Sequence, residues 1–152
     1  MKLLKEILYG TRIQDILGNT HVAIEDLAFD SRRVKAFSLF VAIPGVYVDG
    51  HDYIEQAIEK GATAVVCEQL PQQRVDHVTY VRVLDAAIAL GNIASKFYDD
   101  PSASMKVVAV TGTNGKTTTV SLLHRLFRSI DRRAGMLSTV ENRVLDQVIP
   151  AS

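Results

Sequence analysis

Residues 109–127, AVTGTNGKTTTVSLLHRLF, set two small apolar residues before a Gly/Thr/Asn turn, followed by one lysine and three consecutive threonines. Two glycines three positions apart, Gly112 and Gly115, let a backbone bend sharply and come close to a ligand. If the apolar run before them is a strand and the run after them a helix, the amides of the first helical turn point into the bend. The helix dipole then stands behind them, an arrangement suited to anions. Lys116 supplies a mobile positive charge for β- and γ-phosphates, the Thr117 hydroxyl a ligand for Mg²⁺, and Thr118 a donor to a phosphate oxygen. Gly112, Thr113, Asn114, Gly115, Lys116, Thr117 and Thr118 are therefore the candidate triphosphate site, with Lys116 as its catalytic cation. The spacing is shorter than the full phosphate-loop pattern, which wants a glycine where Val110 stands. The competing reading is a Thr-capped glycine turn with a solvated lysine.

Such a site needs a sheet and a helix to hold it, and the hydrophobic pattern supplies both. The spacing predicts a short helix over 3–10, ended by Gly10, and strands over 23–29 and 38–43, the second closed by Pro44–Gly45. An amphipathic helix follows from residue 51, with Tyr53, Ile54, Ala57 and Ile58 on one face and Gly61 as its C-cap. Strands are expected at 63–68 and 78–83 and a helix at 84–98. The run DDPSAS, 99–104, has no apolar anchor and marks a domain boundary. Beyond it come a strand at 105–110, a helix from Lys116 with Val120, Leu123, Leu126, Phe127 and Ile130 on its apolar face, and a possible strand in 132–139. Alternating strands and helices predict an α/β fold with mostly parallel strands.

Composition narrows the function classes. With 152 residues, 47% apolar and 22% charged, the chain is globular in character, and its 17 acidic and 17 basic residues advertise neither nucleic acid nor an anionic membrane. Cys67, alone in an apolar run, reads as a buried hydrophobe in a reducing compartment. The amino terminus is interrupted by Lys5 and Glu6 and is too short and charged for a leader or a membrane span. His21, His51, His77 and His124 share no metal-ligand spacing.

Two blocks resemble one family. VAVTGTNGKTTT, 108–119, is similar to the nucleotide loop of the Mur ligases, the ATP-dependent amide-forming enzymes of peptidoglycan precursor synthesis. The block 27–68, from LAFDSRR to AVVCE, resembles the amino-terminal nucleotide-sugar domain of two members. One adds the third residue of the stem peptide and the other adds D-alanyl-D-alanine. T-G-T-N-G-K-T and FYDDPS, 97–102, are more similar to the former. The resemblance implies a small α/β UDP-sugar-binding domain, 1–103, followed by the start of a P-loop-type parallel-sheet ATP-binding domain, 104–152. It implies contacts to UDP-N-acetylmuramoyl-L-alanyl-D-glutamate from Ser31 and Phe29 and from Val46, Tyr47 and Val48. ATP and Mg²⁺ are implied at 112–118, with Thr117 on the metal. Ser31 also reads as an ordinary strand-end turn, and Arg32 and Arg33 as solvated.

The implied activity is addition of meso-diaminopimelate or L-lysine, in the cytoplasm, through an acyl phosphate. The family's threonine pair, magnesium-binding glutamate, modified lysine and carboxyl-terminal domain do not occur in these 152 residues, and Ser138 stands where the family has glycine. The chain is therefore expected to be part of the ligase, lacking turnover without the remainder, with 1–100 well folded and 105–152 leaning on another surface. Two other readings stay open: a non-catalytic UDP-sugar-binding module, and the D-alanyl-D-alanine-adding relative.

Overall fold

The computed structural model describes residues 1–150. It divides into two compact units, Met1–Met105 and the residues from Lys106 onward. In the first, β1 (Lys2–Leu3) leads into α1 (Leu4–Ile7), and then come β2 (Ile13–Leu17), β3 (Ala23–Ile24), β4 (Asp26–Ala28) and β5 (Ser38–Val41). The unit continues through α2 (Ile54–Glu59), β6 (Ala62–Cys67), β7 (Thr79–Val83) and α3 (Ala86–Phe97). Five of these strands form one sheet in the order β2-β7-β6-β5-β4, with β4 through β7 parallel to their neighbours and β2 antiparallel on the edge.

Side chains alternate across this sheet, so each strand feeds two cores. Leu39, Val41, Ala64, Val66, Val81 and Val83 meet Leu4 and Ile7 of α1, Leu8 just beyond it, and Ala86, Ala89 and Ile93 of α3. Phe40, Ala42, Val65, Cys67 and Tyr80 face the other way, against Ile54 and Ala57 of α2. Burial on both faces explains why β5 reads as an unbroken apolar run. It also pushes the Cys67 thiol up to about 11, which keeps it protonated and inert. The Asp85 carboxylate caps α3 by accepting from the Ile88 N–H at 2.8 Å.

The strand expected at 23–29 is split: Ala23–Ile24 pairs with β1, while Asp26–Ala28 joins the large sheet. The helix expected from residue 51 begins as a 3₁₀ turn, Gly50–Tyr53, before α2, and Gly61 ends it at φ +104°. Strand β2 was not anticipated.

The second unit holds α4 (Lys116–Ser129), β8 (Gly135–Met136), β9 (Glu141–Val144) and β10 (Gln147–Pro150), the three strands forming an antiparallel sheet. The expected strand at 105–110 is not formed: among the described residues nothing pairs with it, and Met105, Val107 and Val108 are exposed. An apolar, β-branched run becomes a strand only when a neighbour completes its ladder. The apolar face of α4 is likewise only half covered, with Leu126, Phe127 and Ile130 exposed. Among the described residues of this unit, only His124 and Met136 are buried. No helix of the described residues is long and apolar enough to cross a membrane.

Candidate functional site

The segment joining residue 110 to α4 bends as its glycines require. Gly112 lies at φ +146° and Gly115 at φ +77°, conformations that L side chains rarely adopt, and Gly115 occupies the N-cap position immediately before α4. No side chain caps the helix and no acidic residue stands in its first turn, so the amides that open α4 are left to an external acceptor. Lys116 folds back over the bend. Its ammonium donates to the Gly112 carbonyl and, at 3.3 Å, to the Thr113 carbonyl. Thr113, Asn114 and Thr118 are exposed and Thr117 is half-buried. The loop thus brings together one cation, exposed hydroxyls and a helix N-terminus, with open space at Gly115. That combination suits a polyphosphate.

The residues picked in the first unit are placed differently from one another. Ser31 is buried in a 3₁₀ turn, Ser31–Arg33, where its hydroxyl donates to Gln56 Oε1 of α2 at 2.6 Å. Lys60, just past α2, donates to the Ser31 carbonyl at 3.0 Å. Gln56 and Lys60 therefore hold the turn in place, and neither was anticipated, because each reads simply as the polar side of an amphipathic helix.

Phe29 is exposed and lines a cleft of about 390 Å³ with Asp26, Leu27, Asp30, Arg33, Lys35 and Tyr98; Ser31 does not line it. The two arginines of this turn behave differently. Arg32 binds Asp30 through Nε and Nη2, at 2.9 and 2.8 Å. The hydrogen bonds from Arg32 pull the Asp30 carboxyl down to about 2. Arg33 and Lys35 line the cleft, and neither forms a salt bridge among the described residues.

Val46, Tyr47 and Val48 form the tip of a tight loop closed by a Pro44–Asp49 bridge, and all three are exposed, Val46 and Tyr47 almost completely at 93% and 97%. They line neither the Phe29 cleft nor any contact with Ser31 that would make one continuous pocket.

Among the described residues no group of three His, Cys, Asp or Glu side chains could hold a metal ion. A divalent cation at the loop would have to arrive with a phosphate ligand, with the Thr117 hydroxyl as the protein's share of its coordination. Ser138, placed where the resembled family has glycine, organises its own turn. Its hydroxyl donates to the Glu141 carbonyl at 2.7 Å and accepts from the Val140 and Glu141 amides, so the side chain itself holds the bend.

Comparison with known proteins follows the same division. Residues 23–98 match the model described as Mur ligase family, catalytic domain, and residues 110–150 match the Mur ligase middle domain. A curated relative from Cytophaga hutchinsonii, UDP-N-acetylmuramoyl-L-alanyl-D-glutamate–2,6-diaminopimelate ligase, is 50% identical over 98% of this chain and 31% of its own length. A protein of the same name from Bacteroides fragilis is 46% identical over 97% of this chain and 30% of its own. The chain thus spans about 30% of the length of the curated relatives it matches. A solved structure of a ligase of that name superimposes with a TM-score of 0.75 at 24% identity, covering 98% of this chain and 30% of that one. The MurF ligase from Thermotoga maritima, solved in complex with ADP, gives 0.56 at 30% identity, over 71% of this chain and 24% of that one.

Proposed function

The chain belongs to the Mur ligase family, and on that premise we propose that it supplies the muramoyl-nucleotide and triphosphate sites of an ATP-dependent ligase of peptidoglycan precursor synthesis. The reaction is addition of meso-diaminopimelate to UDP-N-acetylmuramoyl-L-alanyl-D-glutamate, a reading supported by the names of relatives 42–50% identical over nearly the whole chain. The first unit takes the UDP-muramoyl substrate, with Ser31 and Phe29 and the loop tip Val46–Tyr47–Val48 as contacts. The second opens the ATP-binding part, residues 112–118. The setting is the cytoplasm, where ATP and the nucleotide-linked precursor are both available.

The chemistry explains the need for such a loop. A carboxylate does not accept an amine directly, because oxide would have to leave. Attack of the carboxylate on the γ-phosphorus of ATP expels ADP and gives an acyl phosphate; the amine then displaces phosphate to form the amide. In the first step negative charge moves onto the leaving β-phosphate, and a positive group poised nearby lowers that barrier. Lys116 is such a group: exchanging the carbonyls of Gly112 and Thr113 for phosphate oxygens keeps its hydrogen bonds while adding charge complementarity. The free amides at the start of α4 hold the same phosphates in place. Mg²⁺, when bound with ATP through the Thr117 hydroxyl, neutralises charge on the transferred group.

The observation carrying this reading is the bend itself, with two left-handed glycines delivering a lysine to an uncapped helix start. Calorimetric titration of the chain with Mg·ATP and, separately, with UDP-N-acetylmuramoyl-L-alanyl-D-glutamate tests it. Lys116→Ala is expected to abolish nucleotide binding and to leave muramoyl-nucleotide binding intact. Simultaneous loss of both would show that the two sites are not separate.

A further inference from the structure

The loop that carries Val46, Tyr47 and Val48 has a hydrogen-bonded stem beneath an exposed tip. The Gly45 N–H donates to the Val48 carbonyl and the Gly50 N–H to the Ile43 carbonyl, each at 3.0 Å. At Gly50 the two backbone segments touch directly: a Cβ there would lie 2.6 Å from the Ile43 nitrogen. These bonds close the loop on itself and hang it from Ile43, which packs against the core just beyond β5.

A second connection, to the end of β6, runs through one imidazole. Asp49 Oδ1 accepts from the His51 N–H at 2.9 Å and from His51 Nδ1 at 2.6 Å. On the other side of the ring, Nε2 accepts the backbone N–H groups of Glu68 and Gln69, at 3.0 and 3.2 Å. An amide can only donate, so Nε2 carries the lone pair and the proton is on Nδ1, which defines a single neutral tautomer. Glu68 immediately follows β6, an interior strand covered on both faces. Its carboxylate is engaged elsewhere, accepting from the Ala86 N–H at the start of α3 at 2.9 Å. The His51 side chain is only 15% exposed.

We propose that His51 is a positioning residue for the UDP-muramoyl substrate, its imidazole tethering the 44–49 loop to the end of β6 so that the exposed tip is presented in one place. The inference rests on the proposed role of that tip. Without the imidazole the loop keeps its closing bonds and its anchor at Ile43, but the Glu68 and Gln69 amides lose their acceptor and the tip loses its second anchor, at the end of β6. The consequence falls on substrate affinity more than on folding.

The experiment compares dissociation constants for UDP-N-acetylmuramoyl-L-alanyl-D-glutamate and for Mg·ATP, with melting temperatures, in the full chain and four variants. His51→Phe keeps the ring shape without its hydrogen bonds, and His51→Gln restores a donor and an acceptor. Tyr47→Ala alters the tip. Thr79→Val removes a partly buried hydrogen bond to the Asn19 carbonyl that involves none of the residues of the tether. The expected result is that His51→Phe weakens muramoyl-nucleotide binding about tenfold with Mg·ATP binding unchanged. His51→Gln should recover most of the loss, and Thr79→Val, though less stable, should bind normally.

If Tyr47→Ala weakens binding while His51→Phe does not, or if Thr79→Val loses as much affinity as His51→Phe, the tether is not a positioning device. If Tyr47→Ala binds as the parent does, the tip does not touch substrate, and both the tether and this part of the proposed function fall. Should His51→Phe not fold, Asp49→Ala, which removes the acceptor of both the His51 N–H and Nδ1 but leaves the imidazole in place, substitutes for it with the same expected loss.

Discussion

Asp30 and Arg32 stand two positions apart, and their bidentate pairing decides which of the two adjacent arginines remains available in the cleft beside Phe29. The bonds from Arg32 hold the Asp30 carboxyl near 2, against an ordinary 3.8. Because the folded value is the lower one, this pair's small contribution to stability is present above the unfolded value and is lost as pH falls through about 2. Arg32→Ala should return the Asp30 titration, followed by carboxyl NMR, to the ordinary range. Ser31 makes a second residue-level prediction. Ser31→Ala leaves the Gln56 oxygen without its donor and should cost about 1–2 kcal/mol in urea unfolding, as well as weakening muramoyl-nucleotide binding if the hydroxyl also meets substrate. The bend before α4 was legible in sequence because two glycines three positions apart stand between an apolar run and an amphipathic one. Gln56, Lys60 and His51 were not, because their roles are set by partners distant in the chain. Ser138 illustrates the same limit: a hydroxyl can hold a turn that glycine holds by backbone freedom, and only its three bonding partners reveal that.

At the scale of elements, hydrophobic pattern located the buried strands β5, β6 and β7 and helix α3 because each is long, regular and covered. Strand β2 escaped because a register shift between Ile13 and Asp15 breaks the two-residue alternation by which an edge strand is recognised. The β9–β10 hairpin escaped for a different reason. Its turn residue Leu145 has φ +56°, a position usually filled by Asn, Asp or Gly. The run at 105–110 shows the converse, since strand propensity was present and a ladder partner was not. These packing differences have measurable consequences. Ile93, fully buried between α3 and the sheet, should cost about 2–5 kcal/mol when replaced by alanine. Leu126, exposed on α4, should cost far less on the same substitution, because a surface change rarely exceeds about 0.5 kcal/mol. Equal losses in denaturant unfolding would mean that α4 is buried in solution in a way these contacts do not provide.

Over the whole molecule, one unit contains two apolar clusters flanking a covered sheet, and the other is organised chiefly by hydrogen bonds and a few packed side chains. Within the second, Met136 meets the Ser121 hydroxyl at 3.6 Å and Arg128 holds both carboxylate oxygens of Asp146, which ties α4 to the hairpin turn. Limited proteolysis should therefore cut first between 99 and 110 and leave a resistant core ending near Phe97. Uniform resistance along the chain would contradict that ordering. The function proposed for these units depends above all on the bend before α4 accepting a triphosphate. The most direct measurement is a titration of the ¹⁵N-labelled chain with Mg·ATP, following backbone amides and the Lys116 ammonium by NMR. Triphosphate binding at the bend predicts shifts concentrated at residues 112–118, with the ammonium leaving the Gly112 and Thr113 carbonyls. Saturable shifts located only in the first unit, or none at all at millimolar nucleotide, would contradict it.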